Sequence, residues 1–104
     1  MKKFITGSAV ALLLASGAAF ADGKAIYDTV CTACHNPAVA PTLKSPGLGD
    51  KAAWAPRIAK GMDALYASAL NGVPNTAMTA KGGNPSLADA DVKAAVDYMV
   101  GASK

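Results

Sequence analysis

The chain has 104 residues, 52% of them hydrophobic and 16% charged, with ten Lys and Arg against seven acidic residues. That length holds one small domain, and a net charge of +3 gives no support for nucleic-acid binding. One histidine, two cysteines and no Glu leave no catalytic constellation beyond what those three residues themselves could build.

Residues 1–21 have the plan of a secretory signal. Lys2 and Lys3 form a basic head, an apolar run is densest from Ala9 to Ala15, and Ala19-Phe20-Ala21 is a small-residue cleavage signature. A retained anchor is the alternative, but Thr6, Gly7, Ser8, Ser16 and Gly17 dilute the run, so cleavage after Ala21 and export to the periplasm are expected. The remaining 83 residues, 22–104, keep eight of the ten basic residues and all seven Asp, a net charge of +1. A domain that small has little margin for a core of its own and usually recruits a staple.

The spacing predicts an all-α domain of about four short helices. The first runs from Lys24 to Cys34, entered by Asp22-Gly23, with Tyr27, Val30 and Cys34 on one face. It delivers the most specific feature of the chain, Cys31-Thr32-Ala33-Cys34-His35. One helical turn puts the two thiols on one side, where they can add across the two vinyl groups of a haem, and His35 then offers an imidazole to the iron. A Cys31–Cys34 disulfide is the rival in an oxidising compartment, but it has no use for the adjacent histidine. The motif thus predicts one covalent haem c.

Asn36 to Gly49 carries Pro37, Pro41, Pro46, Gly47 and Gly49 and reads as loop. Asp50 caps a second helix to about Lys60, with Trp54 and Ile58 on one face and Pro56 tolerated only near its start. A third helix covers about Met62 to Asn71 and is closed by Gly72. Val73 to Pro85 is irregular. The last helix, about Asp89 to Gly101, turns Val92, Ala95, Val96 and Met99 inward and places Asp89 and Asp91 at its positive end. Tyr27 and Tyr98 are expected to pack where the first and last helices cross, with Gly23 allowing close approach.

With C-x-x-C-H early in the exported part and an amphipathic helix at its end, the sequence resembles a class I cytochrome c. The stretch Leu48 to Gly72, Ala77-Met78 with Lys81-Gly82-Gly83, and Asp89 to Met99 are similar to the short bacterial cytochrome c-five branch. The resemblance implies a methionine ligand opposite His35. Met99 lies on the core stripe and Met62 begins a helix, whereas Met78 sits in a Gly/Pro-rich loop and matches the family motif. It also implies that a proline carbonyl holds the other ring nitrogen of His35, Pro46 by position with Pro41 next. Trp54 and Arg57 are candidates for binding the haem propionates, against plain core and surface roles. Two departures stand out: Thr79 replaces the proline commonly found after this methionine, and the second cysteine pair of many relatives is missing.

The function implied is electron transfer by a periplasmic, single-haem carrier, not an enzyme, between respiratory partners such as a reductase or a terminal oxidase. No nucleic acid or small-molecule substrate is expected, and peripheral contact with a membrane is compatible with it. A rim of Lys44, Lys51 and Lys81 would guide partners. The alternatives are a gas-binding or peroxidase-like haem protein with a labile Met78, and a thiol oxidoreductase using the two cysteines.

Overall fold

Helices begin in this chain where a side chain can satisfy the first free backbone donors. The Asp22 carboxylate accepts from the Ala25 N–H and that of Asp50 from the Ala53 N–H, each at 3.1 Å. The structure, a computed structural model, describes residues 22–104, so the predicted signal lies outside the described residues. Helix α1 comprises three consecutive segments, α-helical Gly23–Ile26, a π-helical turn Tyr27–Cys31 and α-helical Thr32–His35. Then come α2 (Ala40–Leu43), α3 (Lys51–Ile58), α4 (Met62–Asn71), a 3-10 turn (Ala80–Gly83) and α5 (Asp89–Ser103). Five helices and no strand make the described residues all-α.

Four local features depart from the sequence reading. The segment after the haem motif is not all loop. Pro41 takes an early position of α2, where its missing N–H breaks no hydrogen bond, and Lys44 ends the helix in the left-handed region at φ 58°. Pro56 lies inside α3, not near its start; its exposed face tolerates the lost bond, and the helix stops two residues later at Ile58. Helix α5 continues past Gly101 to Ser103, because Val100 and Ser103 are also buried and extend the inward stripe. Finally, α1 is not uniform. The Thr29 hydroxyl donates to the Ala25 and Ile26 carbonyls, and the Thr32 N–H reaches back five residues to Tyr27 O, which widens that turn.

The core lies between α1, α4 and α5, with Trp54 of α3 closing one side. Tyr27, Trp54, Ala69, Val92, Val96, Met99 and Val100 are buried together, and Met62, Leu65 and Met78 pack against them half-buried. Tyr66 of α4 donates its hydroxyl to the Asp97 carboxylate of α5, tying the two helices at the surface. The tightest contact is the crossing of α1 over α5. A Cβ built on Gly23 would lie 2.1 Å from the Ala94 carbonyl oxygen, and one residue-turn on, the Tyr27 and Tyr98 rings meet at 5.5 Å. Glycine at position 23 is therefore required by space.

Gly23→Ala should push α1 off α5 and destabilise the folded protein by about 2–3 kcal/mol in denaturant titrations. Gly101→Ala, where a Cβ meets nothing within 4 Å, should be neutral or stabilising by up to about 1 kcal/mol.

Candidate haem site

His35 is the last residue of α1, and three separate bonds fix it. Its backbone carbonyl accepts from the Leu48 N–H at 2.8 Å and from the Tyr27 hydroxyl at 3.2 Å. Its ring Nδ1 lies 2.7 Å from the Pro46 carbonyl. A carbonyl can only accept, so Nδ1 carries the proton and Nε2 is left with a free lone pair. Pro46, and not Pro41, is the residue at this position. The Ser45 hydroxyl donates to the Cys34 carbonyl next door, so the segment after α2 is stitched to the haem motif at successive residues.

The imidazole faces a cleft of about 270 Å³ that joins a smaller hollow of about 60 Å³. Cys34, His35, Ala69, Met78, Val96 and Met99 line both. Pro46, Trp54 and Arg57 line the larger and Cys31 the smaller, so the structure gathers all seven residues singled out by the sequence around one space. Met99 is both core and cleft wall, which its place on the α5 stripe did not disclose. Gly72 ends α4 at φ 83°, with a built Cβ only 3.1 Å from the Met78 carbonyl, so the Met78 loop folds tightly back on the helix end. That loop is closed on itself: the Val73 N–H donates to Met78 O (2.9 Å), the Thr76 hydroxyl to Val73 O (2.8 Å), and the Met78 N–H to Thr76 Oγ1 (3.1 Å).

The polar candidates are placed differently from the sequence expectation. The one side-chain donor of Trp54, Nε1–H, is given to the Gly47 carbonyl at 2.8 Å in a buried setting, which is not the propionate role. Arg57 donates Nη1–H to Ala53 O at 2.7 Å yet still lines the cleft. Lys81 is not a free rim charge. Its ammonium donates to Leu87 O (2.8 Å), pairs with Asp89 (3.0 Å), and leaves the side chain 22% exposed. Lys51 lines neither part of the cleft, whereas Lys81 lines the smaller and Lys44 the larger, there joined by Lys60, which the sequence reading passed over. Ser45, Thr76 and Ser103 were also missed; single hydroxyl residues in loops and helix ends carry no periodic signal.

Titration supports the same chemistry. Burial lowers the His35 pKa below its ordinary 6.5, the Pro46 bond opposes this, and the Arg57 guanidinium adds to the lowering. Burial, then the neighbouring Cys34, raises the Cys31 thiol. That is opposite to the depressed pKa of a redox-active thiol. Neutral imidazole with Nε2 free, two unbridged half-buried thiols and an apolar cleft between them and Met78 fit a covalently held haem. Together with the helical fold, this defines a c-type haem protein.

Comparison with known proteins agrees. The family model described as "Cytochrome C oxidase, cbb3-type, subunit III" matches residues 18–99. The chain is 49% identical to cytochrome c-555 of Chlorobaculum tepidum over the whole length of both proteins. It is 38% identical to cytochrome c5 of Azotobacter vinelandii, over 76% of this chain and 92% of that one. Among solved structures it superposes with TM-score 0.68 and 41% identity on a chain of the "electron transfer complex of nitrite reductase with cytochrome c", covering 79% of this chain and 94% of that chain. The chain belongs to the class I monohaem cytochromes c. It carries one haem c, bound through Cys31 and Cys34, and acts as an electron carrier and not as an enzyme.

The His35 shift makes stability depend on pH with a definite sign. Between the depressed folded value and 6.5 the unfolded chain binds more protons, so stability falls as pH drops below 6.5 and gains nothing from His35 above it. Iron ligation, which also needs the neutral ring, acts in the same direction. Denaturant midpoints of the haem-loaded protein should be lower at about pH 5.5 than at about pH 7.5.

Proposed function

We propose that His35 and Met78 are the two axial ligands of the haem iron, and that the chain shuttles single electrons between respiratory oxidoreductases in the periplasm, with residues 1–21 as its export signal. The observation that carries this is the pairing of a preset Nε2 on His35 with a thioether on the facing loop of the same cleft. When bound, the haem supplies a one-electron couple between ferric and ferrous iron.

The protein's part is to hold both ligands still. His35 is fixed by its helix end, by Leu48 and Tyr27 at its carbonyl, and by Pro46 at its ring. Met78 is fixed by its self-closed loop. With both side chains on the iron, no position would be left open for a substrate or dioxygen, and the methionine would favour the reduced state. No helix among the described residues is long and apolar enough to cross a membrane, which accords with a mobile carrier.

The mouth of the cleft suggests how a partner docks. Exposed Leu43 and the exposed edge of Val73 lie there with Lys44, Lys60 and Arg57, and no Asp lines the larger cleft. A small apolar contact rimmed by positive charge suits brief encounters with a partner bearing an acidic rim. The solved relative in complex with nitrite reductase supports an oxidoreductase of that kind as the acceptor, with a terminal oxidase as the other candidate.

Met78→Ala should abolish the long-wavelength sulfur-to-iron absorption of the oxidised protein and lower the potential by a large share of the ~0.8 V that axial ligands span. Retention of that band would remove Met78 from the iron. Separately, Lys44→Glu with Lys60→Glu should slow electron delivery to purified nitrite reductase roughly tenfold at low salt and flatten its salt dependence. Lys51→Glu, away from the cleft, should do much less.

A further inference from the structure

We propose that Trp54 is a positioning residue for His35: it fixes the Pro46–Gly47 segment and thereby sets how strongly the imidazole donates to iron. The inference rests on His35 being an axial ligand. It gives the indole a role other than contact with a haem propionate.

Two successive carbonyls of one segment each accept one ring N–H. Pro46 O takes Nδ1–H of His35 at 2.7 Å, and Gly47 O takes Nε1–H of Trp54 at 2.8 Å. The same two rings also lie against each other, with centroids 6.1 Å apart and 29° between their planes. Indole, Gly47, Pro46 and imidazole therefore form a closed circuit of two hydrogen bonds, a peptide and a ring contact. All four residues are buried.

The segment has little freedom of its own. Proline fixes φ at position 46. On the far side of Gly47, a built Cβ would sit 3.3 Å from Ala40 Cβ and from Pro37 Cα. The Gly47 carbonyl also accepts the Asp50 N–H at 3.0 Å, from the turn that enters α3, and the indole is the one side-chain donor that joins it there. Releasing it would let the adjoining Pro46 carbonyl turn away from His35. A weaker acceptor leaves the imidazole less electron-rich, which destabilises ferric iron relative to ferrous.

Ser103 provides the comparison. Its hydroxyl, 1% exposed, accepts the Gly49 N–H at 2.8 Å and so grips the far end of the same segment. That hydroxyl makes no hydrogen bond to His35 or to the Pro46–Gly47 peptide. A residue that merely stabilises this segment should behave as Ser103 does.

The test uses the haem-loaded protein as wild type, Trp54→Phe, Trp54→Leu and Ser103→Ala, with three measurements: denaturant midpoint, reduction potential and solvent exchange of the His35 Nδ1 proton by NMR. Trp54→Phe keeps the ring and loses the donor. It should shift the ferric–ferrous equilibrium about three- to tenfold toward ferrous iron, up to about 59 mV for one electron, and speed Nδ1–H exchange at least tenfold. Trp54→Leu should shift both further, and if it fails to fold, the phenylalanine variant carries the test. Ser103→Ala should lower the midpoint and leave potential and exchange unchanged. A Trp54→Phe protein with wild-type potential and wild-type exchange, whatever its stability, overturns the proposal. If the wild-type oxidised protein lacks the strongly shifted resonances of an iron-bound imidazole, the ligation reading itself falls, and the proposal with it.

Discussion

The hydrogen bond from His35 Nδ1 to the Pro46 carbonyl is the buried centre of the contacts that join two distant parts of the chain. One is the end of a helix and the other is an irregular segment between two short helices. Once they are joined, the Leu48 N–H and the Ser45 hydroxyl fall onto the carbonyls of His35 and Cys34, and the segment becomes part of the wall of the cleft. Three consequences follow: the ring's tautomer, the direction of its free nitrogen, and the placement of α3, whose Trp54 reaches back to the same segment. A buried imidazole without this acceptor would carry an unsatisfied donor, costing about 1–3 kcal/mol.

The two sides of the haem site are built by different means. The histidine side is assembled from distant elements, the end of α1, the Pro46–Gly47 segment and α3, so its rigidity depends on how these pack. The methionine side is local, held by bonds that all close within Val73–Met78. Between them, the crossing of α1 over α5 at Gly23 sets the depth of the core. The described domain is small, and its buried apolar residues are few. A covalent haem adds apolar mass where the side chains leave a cleft, which is why loss of the cofactor and loss of the fold are expected to be coupled.

Much of this was legible in the sequence because it is periodic or spaced. The haem motif, the Asp22 and Asp50 starts, the Gly72 stop and the Val92–Met99 stripe each follow from a local rule, and the structure has them where the rule puts them. What was not legible depends on contacts between distant positions. Ser103 reaches 54 residues back to Gly49, Lys81 bends to Leu87 and Asp89 instead of facing solvent, and Trp54 donates to a carbonyl seven residues earlier. Helix α2 was hidden by its prolines, although Pro41 occupies a position where proline is at ease. The π-helical turn arises from competition for the Ala25 and Ile26 carbonyls by Thr29, which no apolar spacing reports.

The closed loop from Val73 to Met78 also fixes the chain length needed at that point. Four bonds run between Val73, Thr76 and Met78, so one added or deleted residue would break the closure and displace the thioether at once. Before α2, Ala38 has no such constraint: it is exposed and bonded only to the Asn36 side chain two residues back. A change of chain length should therefore be tolerated at the histidine-side surface and not on the methionine side, where side chains can change but the count of residues cannot.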